Sequence, residues 1–166
     1  MATRTPTRLV VIGASGSGKS TFAARIGAAL HLPVHDLDVL ARRPDGRPRE
    51  LGEAQARVAA VAAGACWVIE GVFAELAEVA LARATTLVWL DLAWDECRAG
   101  LMQRGPHYGM DPNDPEALRA WAKADRDRRP VHARLYATFG GCKVRLRTRR
   151  EAEDFAVDRL PQCFRP

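Results

Sequence analysis

Residues 13–20 read GASGSGKS, a complete match to GxxxxGK[ST]. They stand between a short β-branched run, Arg8–Ile12 (RLVVI), and a helical pattern carried by Phe22, Ile26 and Leu30. A strand, a glycine loop and a helix in this order leave the chain little freedom. Gly13, Gly16 and Gly18 admit backbone conformations closed to other residues, so successive N–H groups turn inward on an anion. The helix start near Lys19 adds its positive dipole end to the same point. The nucleotide-binding set expected here is Gly13, Ser15, Gly16, Ser17, Gly18, Lys19, Ser20 and Thr21. Within it, Lys19 is expected to reach the β- and γ-phosphates of ATP, Ser20 to ligate Mg²⁺ and Thr21 to lie near the α-phosphate.

The rest of the chain repeats the alternation of strand and helix. A second strand is expected at Pro33–Asp36, since Pro33 stops the first helix. Arg42–Arg49 (RRPDGRPR) reads as an exposed basic connection, and helix resumes near Glu50. Cys66–Ile69 and Thr86–Leu90 are apolar runs too short for helices and read as buried parallel strands. A helix over Asp95–Arg104 leads to a Gly/Pro/His-rich break at Gly105–Pro115 and a basic helical region through Phe139, where a lid is expected over residues 105–139. Lys143–Arg147 alternates as an outer strand, and Glu151–Leu160 reads as a closing helix. The expected class is α/β: a single domain of 166 residues with a parallel sheet covered by helices on both faces.

Acidic residues fall at strand ends, where ligands bind in open α/β sheets. Glu70, before Gly71, suits a carboxylate that holds Mg²⁺ through water. Asp36 and Asp38 (HDLD) would share a face if the extended conformation continued, with Asp38 as the base on the acceptor side. Asp91 reads as structural, holding the turn that follows or the helix start at Asp95.

The formal charge of +5 favours anionic partners without choosing among nucleotides, phosphorylated acceptors and nucleic acid. Arg104, Arg126, Arg128 and Arg129 are candidates to stabilise a moving phosphoryl group; Arg126 and Arg129 share a helix face, and Arg128 points elsewhere. The tryptophans Trp67, Trp89, Trp94 and Trp121 form no basic-aromatic ladder and read as packing. Cys66, Cys97, Cys142 and Cys163 are scattered, without a CxxC pair, and are expected to be reduced. No run approaches the ~20 apolar residues that span a bilayer, and the opening residues lack a signal-peptide pattern, so a cytoplasmic location is expected.

The ordered set VVIGASGSGKST, VHDLD, WVIEGVF, TLVWLDLAWDE and KVRLRTRREAEDF resembles the adenylate-kinase-like P-loop kinases. It is closest to the topology modulation (FlaR-type) and adenylate-kinase-related proteins. The resemblance covers nearly the whole chain. It implies a five-stranded parallel sheet in order 2-3-1-4-5, an acceptor-binding segment after strand two and a basic lid after strand four. Under it, Glu70 and Gly71 match the carboxylate-glycine pair ending strand three, Asp38 the acid facing the acceptor, and Arg104 the second of two lid arginines. The first lid arginine falls on Gly100, and Arg149 falls where one wall of the adenine pocket is built and is expected to stack on the base.

These residues point to an ATP- and Mg²⁺-dependent phosphotransferase acting on a small acceptor such as a nucleotide or a hydroxyl-bearing metabolite. The second reading is a nucleotide-dependent regulatory or DNA-associated P-loop protein, for which nucleic acid would be the partner.

Overall fold

The computed structural model describes residues 7–160. Five strands, β1 (Arg8–Gly13), β2 (Val34–Asp36), β3 (Trp67–Gly71), β4 (Thr86–Leu90) and β5 (Cys142–Leu146), form one parallel sheet in the order β2-β3-β1-β4-β5. This is the topology that the family resemblance implied. Residues Asp36 and Glu70 pair across β2 and β3, Ile12 and Gly71 across β1 and β3, and Gly13 and Leu90 across β1 and β4. The carboxyl ends of four strands therefore come level, with the glycine loop leaving from the middle one.

Helices cover both faces because the strands alternate apolar residues to each side. Val10, Ile12, Trp67, Ile69, Leu87 and Trp89 pack beneath α3 (Leu51–Ala62), α4 (Ala74–Leu81) and the second half of α6 (Pro115–Thr138). Leu9, Val11, Val68, Val88 and Leu90 pack on the other side with Phe22 and Ile26 of α1 (Lys19–Leu30) and with Phe155 and Leu160 of the tail. Trp67 and Trp89 belong to this core, as their setting in the apolar strands suggested.

Four expectations change. The chain does not stay extended after Asp36: it turns at once into a short helix, α2 (Leu37–Leu40), because the Asp36 carboxylate accepts the Asp38 N–H at 2.7 Å and caps it. Helix α6 runs unbroken through Pro130, since Trp121 on one side and His132 and Leu135 on the other are buried against the body, offsetting a cost of about 3 kcal/mol. Of the region 105–139 expected as a lid, the second half of α6 packs on the core through Leu135, Val131 and Tyr136.

The closing helix is short. Helix α7 (Arg149–Glu153) ends where the Arg25 guanidinium takes the carbonyls of Ala152 and Phe155, both at 2.6 Å, and a 3₁₀ turn (Val157–Arg159) follows. Finally, Cys66 and Cys97 are free, but Cys142 is disulfide-bonded, so the expectation of four reduced thiols fails there; Cys163 lies outside the described residues. Among the described residues no helix is long and apolar enough to cross a membrane.

Candidate functional site

The loop after β1 closes on itself through a Ser17 N–H bond to the Ala14 carbonyl, and α1 (Lys19–Leu30) begins behind Gly18, whose φ is +87°. Gly16 is in the left-handed region at φ +81°, and a Cβ there would lie 2.1 Å from the Cys97 carbonyl. The loop is thus pressed onto α5 (Trp94–Arg104). Residues Gly16–Thr21 line a cavity of about 470 Å³, together with Gly100, Arg104 and Arg149. Lys19 is buried, 6% exposed, at the floor of this region.

Glu70 meets Lys19 from the end of β3. It is 2% exposed; burial pushes its carboxyl up from the ordinary 4.5, while the Lys19 charge and a Ser20 hydrogen bond pull it back. Its Oε2 is buried without a hydrogen-bond partner, an orphaned acceptor that calls for a cation or ordered water. Across from it, burial also raises the Asp36 carboxyl, opposed first by the Asp38 N–H bond. Asp36 therefore serves first as a helix cap, and Asp38 projects from the first turn of α2 (Leu37–Leu40), close enough to Arg104 for its charge to bear on that guanidinium. Gly71 is explained by packing: a Cβ there would meet the Leu37 side chain at 2.6 Å.

The arginines sort differently from their helix-face reading. Arg129 is fully engaged, with Nη1 on Asp91 Oδ1 at 2.5 Å and Nη2 on the Leu92 carbonyl at 2.6 Å. Arg145 holds the other Asp91 oxygen, so Asp91 is structural, but through two arginines rather than a turn. Arg126 is exposed, and neither it nor Arg128 lines the cavity. Arg128, which the spacing sent elsewhere, lies over the Phe73 ring at 5.5 Å, two residues beyond β3. One turn on, His132 is buried with Nε2 3.1 Å from the Val72 carbonyl, and burial lowers its pKa. His132 carried no sequence signal, because a lone histidine in a basic helix resembles any other polar residue.

Arg149 does reach the glycine loop. Its Nη2 donates to the Gly16 carbonyl at 2.9 Å and to the Glu96 carbonyl at 3.0 Å, and its backbone N–H donates to Glu96 Oε1. In this structure it braces the loop against α5. The loop before α6 also arrives at the site: burial and then Arg104 lower the His107 pKa, and Asp38, Asp36 and Lys19 all bear on that ring.

No protein-family model matches the chain, and no curated protein matches it. Solved structures do. A shikimate kinase from Aquifex aeolicus matches with a TM-score of 0.59 at 16% identity, over 93% of this chain and 91% of that one. A sugar kinase from Janibacter sp. HTCC2649 gives 0.55 at 19%, over 89% of each. A gluconokinase from Sinorhizobium meliloti gives 0.53 at 18%, over 97% and 90%. The chain has the α/β P-loop fold that these structures share. Within it, the glycine loop, Lys19 and Glu70 occupy the carboxyl ends of the central strands, the side on which open α/β sheets bind ligands.

Proposed function

We propose that this chain is an ATP- and Mg²⁺-dependent phosphotransferase that moves the γ-phosphoryl group to a hydroxyl of a small acceptor. The observation that carries the reading is the convergence of Lys19, Ser20 and the orphaned Glu70 carboxylate at the phosphate loop. The fit to a divalent cation is good: an unsatisfied buried carboxylate oxygen beside a hydroxyl provides hard oxygen donors. Ser20 would ligate Mg²⁺ and Glu70 would hold its water; bound there, the ion neutralises charge on the phosphates.

Asp38 takes the acceptor proton as the acceptor oxygen bonds to the γ-phosphorus, and the bond to the β–γ bridging oxygen breaks to release ADP. Lys19, Arg104 and Arg128 stabilise the charge spread over the moving group. The lid in this reading is the 105–114 loop. The adenine ring would stack on Arg149, whose guanidinium is held by the Gly16 carbonyl.

A finer kinship with the adenylate-kinase-related and topology modulation proteins rests on the sequence motifs. The solved structures bear the names of shikimate, gluconate and sugar kinases, which favours a hydroxyl-bearing metabolite over a nucleotide as acceptor. A cytoplasmic location suits a consumer of ATP.

The test is a screen of purified protein with Mg·ATP against pooled sugars, hydroxy acids, nucleosides and nucleotides, reading ADP release and product mass. One pool should give acceptor-dependent ADP release that Lys19→Ala abolishes. Full turnover in Lys19→Ala, or salt-dependent duplex DNA binding with no ADP release from any pool, would overturn the assignment.

A further inference from the structure

The loop between α5 and α6 ends in a tight tip. His107 and Met110 exchange both backbone hydrogen bonds, at 2.9 and 3.1 Å. The two residues between them, Tyr108 and Gly109, have φ of +50° and +75°, the signature of a type I′ turn. Glycine suits the second position. A bulky aromatic at the first does not: an ordinary side chain held in the left-handed region costs of order 1 kcal/mol and persists only where the surroundings demand it.

What surrounds Tyr108 is the acceptor side of the site. The Arg42 guanidinium lies over its ring at 4.3 Å, and the His107 ring lies 4.2 Å away on the tip itself. Arg42 is anchored in turn. Its Nη1 donates to the Gly46 carbonyl at 3.0 Å, its backbone pairs with Pro48, and its carbonyl accepts from Arg49 Nε. The connection from α2 to α3, which follows Asp38, is thus folded into a seat that presents one cationic face to the loop tip. The stack joins the two segments near Asp36 and Asp38, whose charges both bear on Tyr108.

We propose that Arg42 and Tyr108 form a latch that holds the loop tip over Asp36 and Asp38, with Tyr108 strained into the turn so that its ring meets the guanidinium. Tyr108 is a positioning residue here, and the pairing uses its ring face rather than its hydroxyl. The latch excludes water from the acceptor side, so it rests in that consequence on the phosphotransferase reading; the closure itself does not.

The test is amide hydrogen exchange by NMR at His107 and Met110, measured on the full chain without nucleotide. Variants are Tyr108→Ala, Arg42→Gln, the double variant and Tyr108→Phe. Each of the first two should speed exchange at both amides about fivefold, the double variant no further, and Tyr108→Phe not at all. Tyr108→Gly, which relieves the turn but removes the ring, should speed exchange likewise. Acceptor-free hydrolysis of Mg·ATP should rise in the same variants. Unchanged exchange in Tyr108→Ala or Arg42→Gln, or additive effects in the double variant, would overturn the latch whether or not the protein consumes ATP. Faster exchange with wild-type hydrolysis would overturn its exclusion of water. A chain that neither binds nor hydrolyses Mg·ATP sinks the phosphotransferase reading and leaves the exchange result to decide closure.

Discussion

Gly100 on α5 and Gly16 in the glycine loop are packed so closely that a Cβ on Gly100 would lie 2.1 Å from the Gly16 carbonyl. The same Cβ would lie 2.7 Å from Arg149 Nη2. The helix position that the family resemblance matched to a lid arginine is thus empty of side chain, and a guanidinium from the far end of the sequence fills the space.

Gly100→Ala therefore forces backbone against backbone, with an expected loss of about 1–3 kcal/mol and weaker nucleotide binding. Gly52→Ala, on α3 with open space around it, should be neutral or stabilising by up to about 1 kcal/mol. Thermal unfolding of the two variants checks the contrast; equal stability in both would contradict the packing.

Arg128 and Arg129 are neighbours with opposite assignments. Arg129→Met removes two bonds to Asp91 and Leu92 and should cost about 1–2 kcal/mol of stability, Asp91 still holding Arg145. Arg128→Ala should leave stability nearly unchanged and lower phosphoryl transfer about 10²–10³-fold. Chemical denaturation beside turnover separates them, and a turnover defect confined to Arg129→Met would reverse the assignment.

Glu70 gives a pH dependence of known sign. Its folded carboxyl is raised above 4.5, chiefly by burial, so as pH climbs through 4.5 the unfolded chain ionises first and the fold loses stability until Glu70 itself ionises. Glu70→Gln should match the wild type in unfolding temperature well below pH 4.5, exceed it near neutrality, and lose Mg²⁺-dependent turnover. A variant less stable than wild type near neutrality would show that the surroundings of Glu70 favour its charge.

The three central strands were legible because each announced itself in a short apolar run, β2 from the Pro33 stop before it and β5 from alternation, and the phosphate loop because its spacing leaves one geometry. The acceptor side was harder to read. Whether Asp36 and Asp38 face together depended on a cap formed within two residues, and period-two alternation has no means of foreseeing it. Arg129 is set apart from Arg128 mainly by Asp91, 38 residues earlier in sequence, a long-range pairing that the local i,i+4 contact with Asp125 does not reveal. Tyr108 lay in a segment whose glycines signalled a turn but not what the turn would touch.

Calorimetric titration of Mg·ATP into folded protein bears most directly on the phosphate site. Saturable heat should appear with the wild type and vanish in Lys19→Ala while the unfolding temperature of the two stays the same. No heat from the wild type, or undiminished heat from Lys19→Ala, would contradict a nucleotide site built on this loop.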